Sequence, residues 1–128
     1  MTTRPVHEGL FQADPAALLG THCEACGQYA FPRAAVCPYC GSVSVTDVVL
    51  SDSGKLWLWT TVTAAPPGYA GDVPFGFGIV ALPEGVRVIT RLAVPDDSYV
   101  EGLPMHLQIV PLHEADDGDA VETWEFAP

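Results

Sequence analysis

From residue 45 onward the pattern of apolar and polar positions turns to that of strands, short apolar and β-branched runs set between turn signals. "VTDVVL" (45–50) runs into the turn or bulge signal "SDSG". "KLWLWTTVT" (55–63) is rich in β-branched and aromatic residues and predicts a strand. Strict alternation puts Trp57 and Trp59 on one of its faces and Leu56 and Leu58 on the other. The stretch 64–75, "AAPPGYAGDVPF", predicts a long loop. "GFGIVAL" (76–82) and "VRVITRLAV" (86–94) predict a hairpin around "PEG" (83–85). In its second arm Val86, Val88, Thr90, Leu92 and Val94 face one way, Arg87 and Arg91 the other. A connector (95–104) leads to "MHLQIVPLH" (105–113). A charged turn, "EADDGD" (114–119), then leads to a last strand, "AVETWEF" (120–126), with Trp124 and Phe126 on one face.

Five strands with short turns and no long helix predict a mainly β fold. Closure into a small barrel is the usual way to remove exposed edges. Residues 1–20 break this pattern. They read as an irregular arm, with one helical turn in "DPAALLG" capped by Asp14 and carrying Pro15 at its first position.

Composition narrows the partners. The chain has 128 residues, 48% of them hydrophobic, enough for a core, but any module within it is small and calls for a staple such as a metal. Sixteen acidic residues against five basic ones give a net charge of −11, which argues against nucleic acid, because phosphate binding needs clustered Lys and Arg. No start resembles a signal peptide and no apolar run matches a membrane span. The expectation is a cytoplasmic protein without nucleic-acid or membrane partners.

All four cysteines fall in "CEACGQYAFPRAAVCPYCG": Cys23 and Cys26 form one C-x2-C pair, Cys37 and Cys40 the other. Two-residue spacing turns both sulfurs of a pair toward one point, so a single ion takes two ligands from each, and four thiolates suit tetrahedral zinc. Gly27 and Gly41 follow the second cysteine of each pair, where a positive φ lets the turn aim N–H groups at sulfur. Four thiolates saturate the ion and leave no position for water or substrate, so the site reads as structural. The alternative is a single iron held as in rubredoxins, which would make the chain an electron carrier; a nucleic-acid-binding barrel is a weaker third reading.

With the cysteines committed, no thiol nucleophile remains, and no G-x-S-x-G or Ser-His-Asp pattern is present. His7, His22, His106 and His113 stand in no ligand spacing. The chain reads as no enzyme on its own.

Taken together, "CEACGQYAFPR", "CPYCG", "SGKLWLWTTV", "PFGFGIVALPEGVRVITRL" and "EGLPMHLQI" resemble the DUF35 family over roughly residues 15–127. The resemblance implies an arm (1–20), a rubredoxin-like zinc ribbon (21–45) and a five-stranded OB-fold barrel (46–128). It also implies a non-catalytic accessory subunit of a thiolase-superfamily enzyme (thiolase, acyltransferase or aldolase) acting on acyl-CoA thioesters in lipid or steroid metabolism. The partner carries the catalytic residues, and by analogy the complex is a two-plus-two heterotetramer.

Coenzyme A carries several phosphate charges and this chain has few cations, so the expected CoA thioester is a ligand shared with the partner or absent from this subunit. The residues nominated for contact with partner or acyl-CoA are Phe31, Pro32 and Arg33 between the cysteine pairs, Tyr69 and Phe75 in the long loop, and Arg87 and Arg91 on the barrel.

Overall fold

A computed structural model describes residues 3–5, 9–13, 15–67, 69, 71–114, 118 and 120–128, the side chains of residues 3 and 4 excepted. His7 and Asp14 lie outside the described residues. Ten strands occur, and no helix among the described residues: β1 (Thr3–Pro5), β2 (Phe11–Ala13), β3 (Ala16–Cys23), β4 (Tyr29–Ala30), β5 (Val45–Val49), β6 (Ser53–Val62), β7 (Phe75–Ala81), β8 (Arg87–Leu92), β9 (Pro104–Glu114) and β10 (Ala120–Ala127).

The helical turn expected in "DPAALLG" is absent. Residues 16–23 form a strand that pairs antiparallel with β2, β4 and β5. A weak local preference loses to tertiary context here: pairing satisfies the backbone on both edges and puts Leu18 fully inside. The strands framing the cysteines therefore run back to Ala16 and forward to Val49, with Cys23 facing Val45 in the register.

The remaining strands close a barrel. β6 pairs with β7 and β9, β7 with β8, and β9 with β10, all antiparallel. The circuit is completed by a short parallel contact of β10 with β8 at Phe126 and Leu92, and β1 lies parallel to β10. A five-stranded circuit in this order is the OB-fold topology, and the edges it would otherwise expose are consumed by closure. The β7–β8 turn is held by Leu82 N–H to Val86 O at 2.8 Å and Gly85 N–H to Leu82 O at 2.9 Å. Gly85 adopts φ +92° there, a region costly for any residue with a Cβ. The connector 93–103 contributes a buried Tyr99, whose hydroxyl donates to Ala93 O at 2.6 Å.

Leu56, Val80, Val88, Leu92, Met105 and Phe126 fill the barrel; each such side chain, fully buried, contributes about 1.5–3 kcal/mol. Phe11, Leu18 and Leu50 from the cysteine-bearing half join the same core, so the two halves pack as one unit. Phe31 and Phe11 both abut Trp124, with ring centroids 5.8 and 5.7 Å away.

Two alternation readings need correction. Val94 is exposed, because β8 ends at Leu92. In β6 the register shifts between Leu56 and Leu58: Leu56 faces Val80 and Leu58 faces Ile79, leaving Trp57 as an extra residue. This β-bulge reverses the faces that follow it. Leu56 is 1% exposed and Leu58 54% exposed, so the two leucines do not share a face.

Candidate functional site

The two C-x2-C turns are built alike. Gly27 N–H bonds Cys23 O at 2.9 Å and Gly41 N–H bonds Cys37 O at 3.0 Å, and both glycines have φ +79°. Each turn points a backbone N–H at its first sulfur: Cys26 N to Cys23 Sγ and Tyr39 N to Cys37 Sγ, both 3.4 Å. The Cys26 N–H in particular draws the Cys23 thiol down to about 6, whereas neighbouring sulfurs and burial push the Cys40 thiol up, so the four ionise together only with a cation among them.

All four sulfurs lie within 4.8 Å of one another. Cys23 Sγ and Cys40 Sγ are 3.6 Å apart, Cys26 Sγ and Cys37 Sγ 3.7 Å. A tetrahedral ion with sulfurs at about 2.3 Å spaces them about 3.8 Å apart. The donors therefore fit one four-coordinate structural metal. Cys23 and Cys37 are buried while Cys26 and Cys40 are exposed. His22 is not a fifth donor: its ring packs on Tyr29 at 4.5 Å and its Nδ1 lies 3.6 Å from Glu24.

A second site lies on the barrel, under the 64–75 loop. A cavity of about 390 Å³ is lined by Val62, Pro66, Tyr69, Phe75, Phe77, Arg91, Leu112 and Thr123. Its walls are mostly apolar, with Arg91 the one charged group among the lining residues. Arg91 Nε donates to Glu125 Oε1 at 3.0 Å, and Gln108 Nε2 donates to Glu125 Oε2 at 2.7 Å. Arg91 Nη1 donates to the Tyr69 hydroxyl, which itself donates to Asp72 O at 2.8 Å. Partial burial works against the Arg91 charge, but the bonds to Tyr69 and Glu125 more than offset it, and its pKa is raised. The guanidinium also lies 5.0 Å over the Phe75 ring, and Phe75 packs on Tyr69 at 4.8 Å. Arg91 thus fastens the loop to the barrel wall.

The nominated residues separate into three places. Tyr69, Phe75 and Arg91 converge on the cavity. Arg87 lies elsewhere on the barrel, exposed, with its guanidinium 4.1 Å over Trp57. Phe31, Pro32 and Arg33 sit on the cysteine side. There Phe31 is turned inward against Trp124 rather than displayed, Pro32 is exposed, and Arg33 Nη1 pairs with Asp47 at 3.3 Å. Arg91, set by alternation on the face away from Val86, Val88 and Leu92, is half-buried in an ion pair, because a carboxylate from β10 reaches it across the closing seam. Glu125, Gln108, Leu112 and Thr123 escaped the sequence reading. The one available signal was an acid set inside the buried stretch "TWEF".

Residues 13–45 match the family described as "ChsH2, rubredoxin-like zinc ribbon domain" and residues 47–110 that described as "ChsH2, C-terminal OB-fold domain". A DUF35 domain-containing scaffold protein of Pyrococcus furiosus is 32% identical over 87% of this chain and 82% of its own length. The benzoylsuccinyl-CoA thiolase subunit BbsA of Thauera aromatica is 28% identical over 85% of this chain and 74% of its own. Among solved structures, a chain of the Ltp2-ChsH2(DUF35) aldolase superposes with a TM-score of 0.62 at 25% identity, covering 85% of this chain and 84% of that one. With both modules matched in order and a relative this similar along most of its length, the chain belongs to the DUF35 family of ChsH2-type zinc-ribbon/OB-fold proteins.

Proposed function

We propose that this chain is the non-catalytic subunit of a thiolase-like enzyme that forms or cleaves carbon–carbon bonds in acyl-CoA thioesters, working in the cytoplasm. The observation that carries the reading is the pairing of both modules, over most of the chain, with relatives that are a thiolase subunit and the DUF35 component of an aldolase. The site chemistry agrees with it. Four sulfurs that can saturate one ion make a staple, not a reaction centre. The proposed ion is zinc, for which four thiolates at tetrahedral spacing are the usual set; bound there, it would crosslink the two turns and supply no open coordination position. Cys23, Cys26, Cys37 and Cys40 would hold it.

The cations on this subunit support a shared rather than a self-contained CoA site. Arg33 is matched by Asp47 and Arg91 by Glu125, which leaves Lys55 and Arg87 as the described cations without an ion pair among the described residues. Two such groups are few for the phosphates of coenzyme A, so the partner supplies most of the cationic contacts.

The test is affinity purification of the tagged chain from its native cell. Recovery of a thiolase-like protein whose acyl-CoA activity needs this subunit supports the reading; reproducible absence of any such protein overturns it. One zinc per chain in colourless protein supports the staple, whereas red protein with one iron per chain replaces it by electron transfer. Micromolar binding of coenzyme A to the isolated chain at physiological salt contradicts a shared site.

A further inference from the structure

The outer face of β6, β7 and β8 carries an apolar row that the barrel itself leaves uncovered. Leu58, Ile79 and Ile89 stand side by side across the three strands. Leu58 is 54% exposed and Ile89 65%. The next row places Phe77, 41% exposed, between Thr60 and Arg91. Phe77 is also a wall of the cavity beneath Tyr69, so an exposed aliphatic ridge runs directly into an apolar recess.

The bulge at Trp57 creates this face. Without it, Leu58 would follow Leu56 inward. A one-residue insertion that turns a leucine toward solvent beside two isoleucines costs solubility unless something covers it.

Charge distinguishes the face further. The chain has five basic residues and a net charge of −11, yet three of the five, Lys55, Arg87 and Arg91, border this ridge, Arg91 matched by Glu125 and the other two without an ion pair among the described residues. Lys55 and Arg87 flank Ala81 on the row to one side, and Arg91 lies on the row to the other. An apolar centre with a cationic rim, on an otherwise acidic protein, suits a surface with an apolar centre and an acidic rim. A second copy of this chain does not provide one through this face, since the two cationic rims would be opposed.

We infer that Leu58, Ile79, Ile89 and Phe77 form the docking ridge for the thiolase-like subunit. That subunit sets carboxylates against Lys55 and Arg87 and an apolar side chain into the recess under Tyr69. The inference rests on the partner-subunit reading above and adds to it the face that makes the contact.

The experiment is co-expression of the full chain with the thiolase-like subunit of the same host, with the Kd measured for wild type and single variants. Ile89→Asp and Leu58→Asp should weaken the complex about 100-fold, as for a residue central to an interface. Arg87→Glu should weaken it about 10-fold and flatten its salt dependence. Val49→Asp, on the exposed face of β5, should leave Kd unchanged. Equal metal content and melting temperature show that each variant is folded, and Ile89→Gln serves where Ile89→Asp is not. If wild type binds and the ridge variants bind equally well, the ridge falls while the functional reading stands. If wild type forms no complex, both fall. If wild type alone is a dimer that Ile89→Asp splits, the occupant is a second copy and the inference is overturned.

Discussion

Arg91 on β8 and Glu125 on β10 form an ion pair of 3.0 Å with side chains only 21% and 10% exposed, beside the single register contact, Leu92 with Phe126, through which the barrel closes. The pair ties together the one parallel junction in the circuit, and through Tyr69 it also ties down the long loop.

Removing one partner strands the other. Arg91→Met leaves the buried Glu125 carboxylate with Gln108 alone, and should cost about 2–3 kcal/mol of unfolding free energy. Arg91→Met combined with Glu125→Gln should recover more than half of that loss, because no unpaired charge remains. Urea unfolding of the four proteins in the cycle checks both figures.

Trp124 sits between the halves of the molecule, against Phe11 and Phe31. Trp124→Ala should cost about 3 kcal/mol by opening a void there. Its cysteines are untouched, so the variant should still bind one metal per chain. Calorimetry should show a lower melting temperature with unchanged metal stoichiometry.

Metal removal should act on one half first. The barrel core of Leu56, Val80, Val88, Leu92, Met105 and Phe126 contains no cysteine, whereas the turns around Cys23–Cys26 and Cys37–Cys40 have little apolar burial of their own. Chelation, or Cys26→Ser, should expose residues 24–44 to protease while cleavage within 75–92 stays slow. Timed digestion followed by mass spectrometry separates the two regions.

Two glycines make a contrast. A Cβ at Gly78 would collide with the Leu58 carbonyl and meet Trp59 Cα at 2.9 Å, just past the bulge. Gly78→Ala should therefore displace β6 and cost about 3 kcal/mol or more. At Gly85 a Cβ meets nothing within 4 Å, and only the φ of +92° resists it, so Gly85→Ala should cost about 1 kcal/mol. Melting curves of the two variants should differ clearly, in that order.

The sequence by itself determined what depends on short spacing. Two C-x2-C turns with a following glycine specify their own geometry, and the sulfurs meet where four ligands should. Apolar and β-branched runs between Gly, Pro and acidic turn signals marked the barrel strands, and in 86–94 alternation also recorded which side of the sheet is dry. The matching segments along the chain likewise carried the family. What only the tertiary structure decided depends on residues far apart meeting. A single bulge at Trp57 inverted the alternation of β6 and turned Leu58 outward beside Ile79 and Ile89. Glu125 met Arg91 only after the barrel had closed. Phe31, set by sequence between the two cysteine pairs, found Trp124 more than ninety positions away. The stretch "DPAALLG", read as one helical turn, instead gave residues 16–20 to a strand because β2, β4 and β5 were there to pair with it. Periodicity reports the faces of a strand only while its register is unbroken, and charge or aromatic partners across a seam leave no local trace.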